Sequence, residues 1–593
     1  MSQPPAVAQP PDPPEVHERK KDKEEKPPSQ ADLLVQIAQT KGTLFHDAYE
    51  EAYLTVPRGS GHETMKLRSR RTRAWLDREY FTTFGRVASA QAKVDAIGLL
   101  EGIALHEGDS DVASLRTAEH EGRIYIDLGD ESREAIEIAP SGWHIVRRAP
   151  VRFVRPKGMQ PLPRPETGGS VEELREFVNV KSEVHFRLLV AWIVAAQRPR
   201  GPYPILCLQG EHGASKSTTT RLVRRMVDPN SCPVRAAPRE LRDLAIAGSA
   251  VHVLAFDNLS GVPAWLSDAL CRVATGGGFA TRALCTDDEE VIFDFMRPVI
   301  VNGIDDVATR PDLADRCLVI TLPAIPATKR RRERDMLASF AAVAPRIYGA
   351  ILSALAGALA REPAVKLPEL PRMADFAVFA TAAEAALGWA EGDFMRAYQA
   401  NRSDTTSIAF DADLVAQAVV RFMTDRTEWT GMARDLFAQL ASCVSERDRE
   451  SRAWPAAANV LSTRLRRAAP VLRELGVDVD ADMSDGRGRD KRRCLVLRKI
   501  PKPTGPTGPI SDIAQESGEQ KAAWGRSVAG EEFSRSQANS ALGAGGATGA
   551  DRSARSGAAD ATFADWLEDE GITPRHQATS QPDDDVSAER RPS

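Results

Sequence analysis

The stretch YPILCLQGEHGASKSTTTRLVRRM, from Tyr203 to Met226, decides the fold of this chain. Its first residues form an apolar run, 204–208, which predicts a short buried strand. A loop of small residues follows, and the spacing of Leu222, Val223 and Met226 then predicts a helix. A strand, a glycine loop and a helix in this order predict a phosphate-binding loop, because backbone N–H groups and the helix dipole both attract an anion.

The residues of this loop are candidates for binding ATP. Lys216 is placed to reach the β- and γ-phosphates, and the Ser217 hydroxyl is placed to hold Mg²⁺. Ser215 departs from the pattern GxxxxGK[ST], which has a second glycine there, and costs ~1–3 kcal/mol if its φ is positive. The alternative is a structural turn before a helix. The predicted nucleotide-binding residues are Gly210, Glu211, His212, Gly213, Ala214, Ser215, Lys216, Ser217 and Thr218.

The composition indicates a globular protein of several domains. The chain has 593 residues, of which 42% are hydrophobic and 27% charged, and its net charge of −5 argues neither for nor against nucleic acid. Seven cysteines include no CxxC pair, which disfavours zinc and disulfide frameworks. The longest apolar run, 188–196, is too short to span a bilayer, so we expect a cytoplasmic protein without a membrane partner.

Changes in composition along the chain predict its domain organisation. The predicted segments are a disordered stretch 1–29, an α+β domain 30–155 of unknown role, a linker 161–169, an ATPase core with a helical lid 170–400, a DNA-binding domain 405–500, and a disordered tail 501–593.

Two smaller patterns each allow two interpretations. Asp127 and Asp130 resemble a polymerase-type metal pair, but a strand end followed by a Gly-Asp turn is the more ordinary explanation. Near 562–571, the residues Thr562–Leu567 predict a short amphipathic helix that binds a protein partner, and the alternative is a stray apolar cluster.

Two later strands end in polar residues that suit the chemistry of a nucleotide site. The apolar run 251–256 ends in Asp257, and a carboxylate there can hold Mg²⁺ opposite Ser217. Asn258 follows it, and an amide can orient water but cannot take its proton. The run 299–301 ends in Asn302, which can position the attacking water; an ordinary strand-to-turn asparagine is the alternative.

An arginine precedes the fourth predicted strand, 317–322. Arg316 can face the nucleotide of a neighbouring subunit as an arginine finger. Arg310 is the competing candidate, and either arginine can instead be a surface ion-pair partner.

The loop, Asp257, Asn302 and Arg316, in this order, resemble the AAA+ core of superfamily 3 helicases, in particular the helicase half of viral, phage and plasmid primase-helicases. The chain also looks like a group of ATP-binding proteins of mobile elements with similar FDNLS and ATGGGFATR strings. The resemblance implies a homo-oligomeric ring, expected to be a hexamer. It also implies a pore hairpin that places Arg282 against DNA.

The region 405–500 looks like a winged helix that binds DNA. Helices are predicted at 414–423, 432–440 and 455–469, and Pro455 suits the first turn of the last one. A β-hairpin with a basic tip follows, and the segment from Arg452 to Lys499 carries twelve basic and six acidic residues. Docking to a protein is the alternative. The predicted DNA-binding residues are Arg282, Arg466, Arg467, Arg487, Arg489 and Arg492.

The sequence therefore predicts an α/β protein with a P-loop AAA+ ATPase core, an N-terminal α+β domain, a C-terminal winged helix and disordered termini. The leading hypothesis is an ATP-dependent DNA helicase or translocase that replicates a phage, plasmid or integrated element. Ser215 and Asn258 support an alternative, a slowly hydrolysing, ATP-gated DNA-binding initiator or regulator. A third hypothesis is an AAA+ remodelling or defence ATPase that acts on protein.

Overall fold

The computed structural model describes residues 27–259, 261–282, 290–303, 310–451, 453–485 and 492–501. The chain divides into two compact units, Met1–Thr507 and Gly508–Ser593, and the described residues all belong to the first. Most of the two segments predicted to be disordered lies outside the described residues. So do the predicted hook at 562–571 and the predicted DNA-binding residues Arg487 and Arg489.

The N-terminal part combines three helices with short, mainly antiparallel strands. Its elements are α1 (Gln30–Lys41), β1 (Thr43–His46), β2 (Ala52–Arg58), β3 (Gly61–Lys66), α2 (Arg70–Phe84), α3 (Ala90–His106), β4 (Asp109–Ser110), β5 (Ala113–Ser114), β6 (Thr117–His120), β7 (Arg123–Asp127), β8 (Ala135–Ala139), β9 (Gly142–Val146) and β10 (Arg152–Phe153). Ser29, Ser69 and Ser89 cap the three helices by accepting hydrogen bonds from backbone N–H groups. Two four-stranded sheets result, ordered β3-β2-β1-β4 and β6-β7-β8-β9.

The acid that ends β7 has a structural role. Asp127 is 2% exposed, and its carboxylate accepts hydrogen bonds from the guanidinium of Arg155 and from the backbone N–H of Gly129. Arg155 also donates to the backbone carbonyl of Asp130. The carboxylate of Asp127 is therefore engaged in holding a turn, as the ordinary explanation of this pattern requires.

The segment interpreted as a linker packs against the rest of the chain. The N–H of Leu162 donates to the carbonyl of Leu128 at 2.8 Å, and that of Glu166 donates to the carbonyl of Pro345 at 3.0 Å. Leu162 is also buried in the same apolar cluster as strands β7 and β8. This segment therefore has fixed contacts on both sides.

A four-stranded parallel sheet lies at the centre of the chain. Its region contains α4 (Glu183–Ala195), β11 (Ile205–Gln209), α5 (Lys216–Val227), α6 (Leu241–Ala250), β12 (Leu254–Leu259), α7 (Ala264–Thr275), β13 (Phe279–Arg282), β14 (Glu290–Phe293), β15 (Val299–Gly303), α8 (Pro311–Ala314) and β16 (Cys317–Thr321). The strand order is β12-β15-β11-β16, and all neighbouring strands are parallel. Every residue of β11 and β15 is buried, and the first residues of each strand are apolar, as expected of parallel strands covered on both faces.

Strand β12 begins three residues later than its apolar run predicts and continues past Asp257 to Leu259. The backbone N–H groups of His252 and Val253 donate to the carboxylate of Asp228 rather than to a neighbouring strand. The register also shifts between Phe256 and Leu259. Asp257 therefore lies within an irregular strand end, not after a regular one.

An asparagine side chain covers the outer edge of β16, which is a terminal strand of the sheet. The Nδ2 of Asn401 donates to the carbonyl of Val319 at 2.6 Å, and its Oδ1 accepts from the N–H of Val319 at 3.1 Å. Asn401 belongs to a helix that runs from Asp393 to Ala412. This helix spans the point at 400–405 where the sequence places a domain boundary.

Helices follow the central sheet. They are α9 (Glu333–Arg361), α10 (Ala374–Ala383) and α11 (Asp393–Ala412), with 3₁₀ turns at Ala327–Lys329, Glu362–Ala364 and Glu384–Leu387. The segment Glu333–Ala364, which contains α9, is long and apolar enough to cross a membrane, and 56% of its most apolar window is buried inside the protein. Phe340, Tyr348 and Leu352 in α9 belong to the apolar cluster that includes α10. These contacts give α9 a role as a core helix.

The C-terminal part of the described chain packs helices against a three-stranded antiparallel sheet, ordered β17-β19-β18. Its elements are α12 (Leu414–Phe422), β17 (Glu428–Gly431), α13 (Ala433–Ala441), α14 (Glu446–Glu450), α15 (Ala458–Glu474), β18 (Val477–Asp485) and β19 (Arg492–Lys499). α15 begins at Ala458, so Pro455 does not occupy its first turn as predicted. The chain turns before this helix, where the N–H of Trp454 donates to the carbonyl of Ser451 at 3.0 Å and the Trp454 ring stacks on Phe437, with ring centroids 6.3 Å apart.

A buried carboxylate joins the N-terminal part to the central sheet. The Oδ1 of Asp228 accepts from Nε of Arg116 at 3.2 Å, and its Oδ2 accepts from Nη2 of Arg224 at 3.3 Å. Burial would raise the pKa of Asp228, but the two guanidiniums outweigh it and hold the pKa below its ordinary value. Burial also lowers the pKa of the neighbouring His252 to about 4, so His252 is neutral in the folded protein at pH 7.

We expect the stability of this region to depend on pH through His252. The pKa of His252 falls from 6.5 in the unfolded chain to about 4 in the folded one. The unfolded state therefore binds more protons between these values, and stability falls as the pH drops through this window, by about 3 kcal/mol in total. His252→Gln, which can still donate to the Ala196 carbonyl, should show a smaller loss. Urea unfolding measured between about pH 7 and pH 4.5 tests this.

His212→Gln is the matched control, because His212 is exposed. Its stability should follow the wild-type pH profile. Parallel profiles for wild type and His252→Gln would contradict the assignment.

Candidate functional site

The loop between β11 and α5 lies at the carboxyl edge of the parallel sheet. Gly210 has φ 152°, and a Cβ there would lie 2.3 Å from the carbonyl oxygen of Leu322, so only glycine fits this approach. The carbonyl of Gly213 accepts from the N–H of Ile325 at 3.4 Å. The side chain of Asn179 donates to the carbonyl of Ala214 at 3.2 Å. The loop is therefore held from two sides.

Ser215 adopts the left-handed conformation that its place in the pattern implies. Its φ is 66° and its ψ is 29°, and its side chain does not cap α5. A serine in this region of φ/ψ space costs on the order of 1 kcal/mol relative to glycine. The serine at position 215 thus lowers the stability of the loop relative to glycine, but the backbone still adopts the left-handed conformation.

Lys216 folds back over the loop. Its Nζ donates to the carbonyls of Gly210 at 2.5 Å and Glu211 at 3.1 Å. Burial lowers the pKa of Lys216, and the carboxylate of Asp257 opposes this effect. The ammonium group therefore lies on the loop, within the electrostatic influence of Asp257, on a flexible stem that can turn toward an anion.

A chain of hydrogen bonds joins α5 to the ends of two strands. The hydroxyl of Thr220 donates to Oδ1 of Asn302 at 2.9 Å, and Nδ2 of Asn302 donates to Oδ1 of Asp257 at 2.9 Å. Asn302 is fully buried. The Oδ2 atom of Asp257 has no hydrogen-bond partner among the described residues. The structure thus brings Lys216, Asp257 and Asn302 together at one edge of the sheet.

The other predicted loop residues surround this edge. Glu211 and His212 are exposed at the tip of the loop, and Ser217 and Thr218 are partly exposed in the first turn of α5. Asn258 is exposed, has φ 57° and donates its backbone N–H to Oδ1 of Asp257. Its left-handed backbone belongs to the irregular end of β12.

Arg316 lies at the opposite edge of the sheet from the loop. Its carbonyl accepts from the N–H of Ile205, the first residue of β11, whereas the loop follows the last residue of β11. The five residues of β11 span about 16 Å at ~3.3 Å per residue. The Nη1 of Arg316 donates to the carbonyl of Asp312, and its Nε is buried without a partner among the described residues. Arg316 therefore does not contribute to the site of its own chain.

Arg310, the competing arginine, is held by acids of its own chain. It donates to Asp268 at 3.2 Å and to Asp312 at 3.3 Å.

One arginine beside the loop is not singled out by the sequence. The Nη2 of Arg330 lies 3.3 Å from the position that a Cβ on Gly213 would occupy. Its Nε donates to the carbonyl of Ile325 at 3.3 Å, and neither Nη atom has a hydrogen-bond partner among the described residues. In the sequence it belongs to the basic run 329–332, which gives no sign that one of its members reaches the loop.

The predicted DNA-binding residues that the structure describes belong to other elements than the loop and α5. Arg466 and Arg467 are exposed on α15. Arg282 ends β13 and pairs with Glu290 in a β-hairpin, and Arg492 begins β19 opposite Asp485.

We expect Ser215→Gly to stabilise the loop. Glycine adopts φ 66° without steric cost, and the gain, reduced by the greater entropy of the unfolded chain, is about 0.5–1 kcal/mol. Ser215→Ala is the matched control, because it removes the same hydroxyl but keeps the Cβ. In urea unfolding, the free energy of unfolding should be higher for Ser215→Gly than for the wild type and for Ser215→Ala. A glycine variant less stable than the alanine variant would contradict a positive φ at this position.

Two family models match consecutive parts of the chain. The model for the actinomycete integrative conjugative element replication protein matches residues 171–407. The model for the RepA C-terminal domain of the same elements matches residues 415–514. Together they cover more than half of the chain, and the first includes the loop, Asp257, Asn302 and Arg316.

Solved structures give a weaker likeness. Two apo structures titled NrS-1 C terminal region match with TM-scores of 0.35 and 0.33, each at 9% identity, covering 80% of this chain and 100% of the other. No protein with a curated description matches the chain. The TM-scores are too low for a conclusion about fold, whereas the two family models agree with each other. The chain belongs to the replication proteins of actinomycete integrative conjugative elements.

Proposed function

We propose that this replication protein binds and hydrolyses ATP at the carboxyl edge of its parallel sheet, as a P-loop ATPase of the AAA+ class. The observation that carries the proposal is the hydrogen-bond chain from Thr220 through Asn302 to Asp257, beside Lys216. The carboxylate and the amide of this chain and the ammonium of Lys216 together support a nucleotide site at the glycine-rich loop.

The loop and α5 supply the groups that bind phosphate. Backbone N–H groups of residues 210–215 and the N-terminal dipole of α5 attract the phosphate oxygens. Lys216 exchanges its carbonyl contacts for the β- and γ-phosphates. The free Nη groups of Arg330 add a second cation on the other side of Gly213.

The donor atoms near Lys216 suit Mg²⁺. Ser217 is the second residue of α5, and the Oδ2 of Asp257 is available at the end of β12. Both side chains supply the hard oxygen ligands that Mg²⁺ prefers. Bound there, Mg²⁺ would neutralise charge on the phosphate oxygens. Asn302 keeps the Asp257 carboxylate turned toward the site by donating to its Oδ1.

The same residues affect the rate of hydrolysis. The proposed role of Asn302 in orienting water beside the γ-phosphate requires its amide to exchange its bonds with Thr220 and Asp257. Asn258 can orient water without accepting its proton. These features support slow intrinsic turnover that increases when DNA or a neighbouring subunit completes the site.

Arg316 supports assembly into a homo-oligomeric ring. It lies at the edge of the sheet opposite its own loop, so a head-to-tail contact between copies can bring it to the nucleotide of a neighbour. A hexamer is the expected size from the resemblance to superfamily 3 helicases.

The C-terminal part supports DNA binding as a winged helix. α15 presents Arg466 and Arg467 to solvent, and β18 and β19 form the adjacent hairpin. A helix of this kind enters a DNA groove while the hairpin contacts phosphates.

The function best supported is that of a cytoplasmic, ATP-dependent DNA helicase or translocase in replication of the integrated element. Asn258 favours a second candidate, an ATP-gated initiator that binds DNA and hydrolyses ATP slowly. A remodelling or defence ATPase that acts on protein is the third hypothesis.

We expect DNA-stimulated ATP turnover to fall at least about 100-fold in Lys216→Ala and in Arg316→Ala, because phosphate binding is lost in one and transition-state charge is unopposed in the other. Mixing the two variants should restore part of the turnover if Arg316 acts on a neighbouring subunit. Arg310→Ala is the matched control and should retain turnover. Steady-state phosphate release with and without DNA measures these rates.

The outcome separates the three hypotheses. ATP-dependent DNA binding without turnover would refute the helicase hypothesis and favour the initiator. Turnover stimulated by protein but not by DNA would favour the third.

We expect the double change Arg466→Glu with Arg467→Glu to weaken duplex DNA binding at least tenfold. The slope of log K against the logarithm of the salt concentration should become less steep by about two. Arg434→Glu is the control, because Arg434 is exposed on α13 of the same region. Fluorescence anisotropy at several salt concentrations measures both quantities. Equal affinities for wild type and the double variant would favour protein docking as the role of this region.

A further inference from the structure

The surface around α2 carries a concentration of positive charge. Between Lys66 and Arg86 the chain has seven lysines and arginines and two acids. Both acids are ion-paired with lysines of other helices, Asp77 with Lys93 at 2.9 Å and Glu79 with Lys41 at 2.6 Å. The acids of this segment therefore do little to neutralise its arginines.

Of the arginines in and just after α2, Arg71 donates to the backbone carbonyl of Arg155 at 2.6 Å, and four others remain exposed. Arg70, Arg73 and Arg86 make no side-chain hydrogen bond or ion pair with any described residue. Arg78 is 77% exposed and lies 3.7 Å from Glu79. Arg68, just before the helix, shows the contrast, because Glu101 binds it at 2.7 and 2.8 Å. Four guanidiniums are thus available to an external anion.

Aromatic rings lie on the same face. Phe81 is 56% exposed and Phe84 is 38% exposed. The ring of Phe84 packs against the buried ring of Tyr80, with ring centroids 4.8 Å apart. Arg70, Arg73, Phe81 and Phe84 recur at spacings of three, eight and three residues, which places them on one side of a helix. The span from Arg70 to Phe84 is about 21 Å.

We propose that this face of α2 binds single-stranded nucleic acid. Guanidiniums along the helix contact the phosphates, and the exposed phenyl rings of Phe81 and Phe84 stack on unpaired bases. A duplex fits less well, since its bases are already stacked and offer no free face to the rings. The face belongs to the N-terminal part of the chain and is independent of the nucleotide site and of α15.

The test uses the full-length chain and fluorescein-labelled oligonucleotides of about 30 nucleotides, as a single strand and as the matching duplex. The Arg466→Glu, Arg467→Glu background removes the binding proposed for α15. In that background, Arg70→Glu with Arg73→Glu should weaken single-strand binding at least tenfold and lower the salt slope by about 1.4. Phe81→Ala should weaken it at least about fivefold without changing the slope.

Two exposed residues outside this face serve as controls. Arg361→Glu places the same charge change at the end of α9, and Leu99→Ala removes a side chain that is 52% exposed on α3 of the same part of the chain. Both controls should bind the single strand as the background protein does. Thermal unfolding of every variant shows whether the fold is retained, and Phe81→Ala removes few internal contacts.

Three outcomes would overturn the proposal. Unchanged single-strand affinity in both α2 variants would exclude nucleic acid from this face. An equal loss for single strand and duplex, with no effect of Phe81→Ala, would indicate general electrostatic attraction instead. A changed oligomeric state with unchanged DNA affinity would assign the face to a protein contact.

Discussion

The carboxylate of Asp228 is the interaction on which the arrangement of the chain depends. It lies just after α5 and receives Arg116 from the N-terminal part, Arg224 from α5 and two backbone N–H groups from the residues before β12. A buried charge of this kind is tolerable only when its partners are all present, because an unpaired one costs several kcal/mol. The two carboxylate oxygens of Asp228 therefore hold together the N-terminal part, α5 and the segment before β12. As a result, α5 cannot shift independently of the other two.

The position of the candidate site follows from parallel strands. Such strands end at the same edge, so Lys216 after β11, Asp257 in β12 and Asn302 in β15 meet there although more than 40 residues separate each from the next. α5 covers this edge and supplies Thr220, whose hydroxyl joins the polar strand ends. The apolar interior of the sheet and the polar edge are two consequences of the same topology.

Much of this edge could be predicted from the sequence. Lys216 and the strand-ending residues Asp257 and Asn302 are each recognisable from a local pattern of apolar run, turn and polar residue. Arg330 could not be predicted, because its place beside Gly213 depends on how the chain after β16 folds back. The late start of β12 depends on the Asp228 carboxylate, which binds the N–H groups of His252 and Val253 from a distant part of the chain. The start of α15 at Ala458 also differs from the prediction, and a turn that Trp454 closes on Ser451 precedes it.

The contact between Asn401 and Val319 has a practical meaning for dividing the chain. It satisfies both backbone groups of one residue on the terminal strand of the central sheet. A fragment that ends at residue 400, where composition suggests a border, would cut α11 and leave that strand with unpaired backbone groups. Open edges of this kind recruit strands from other molecules. A soluble fragment of the central region should therefore include Asn401, which lies between the two segments, 170–400 and 405–500, that composition predicts as domains.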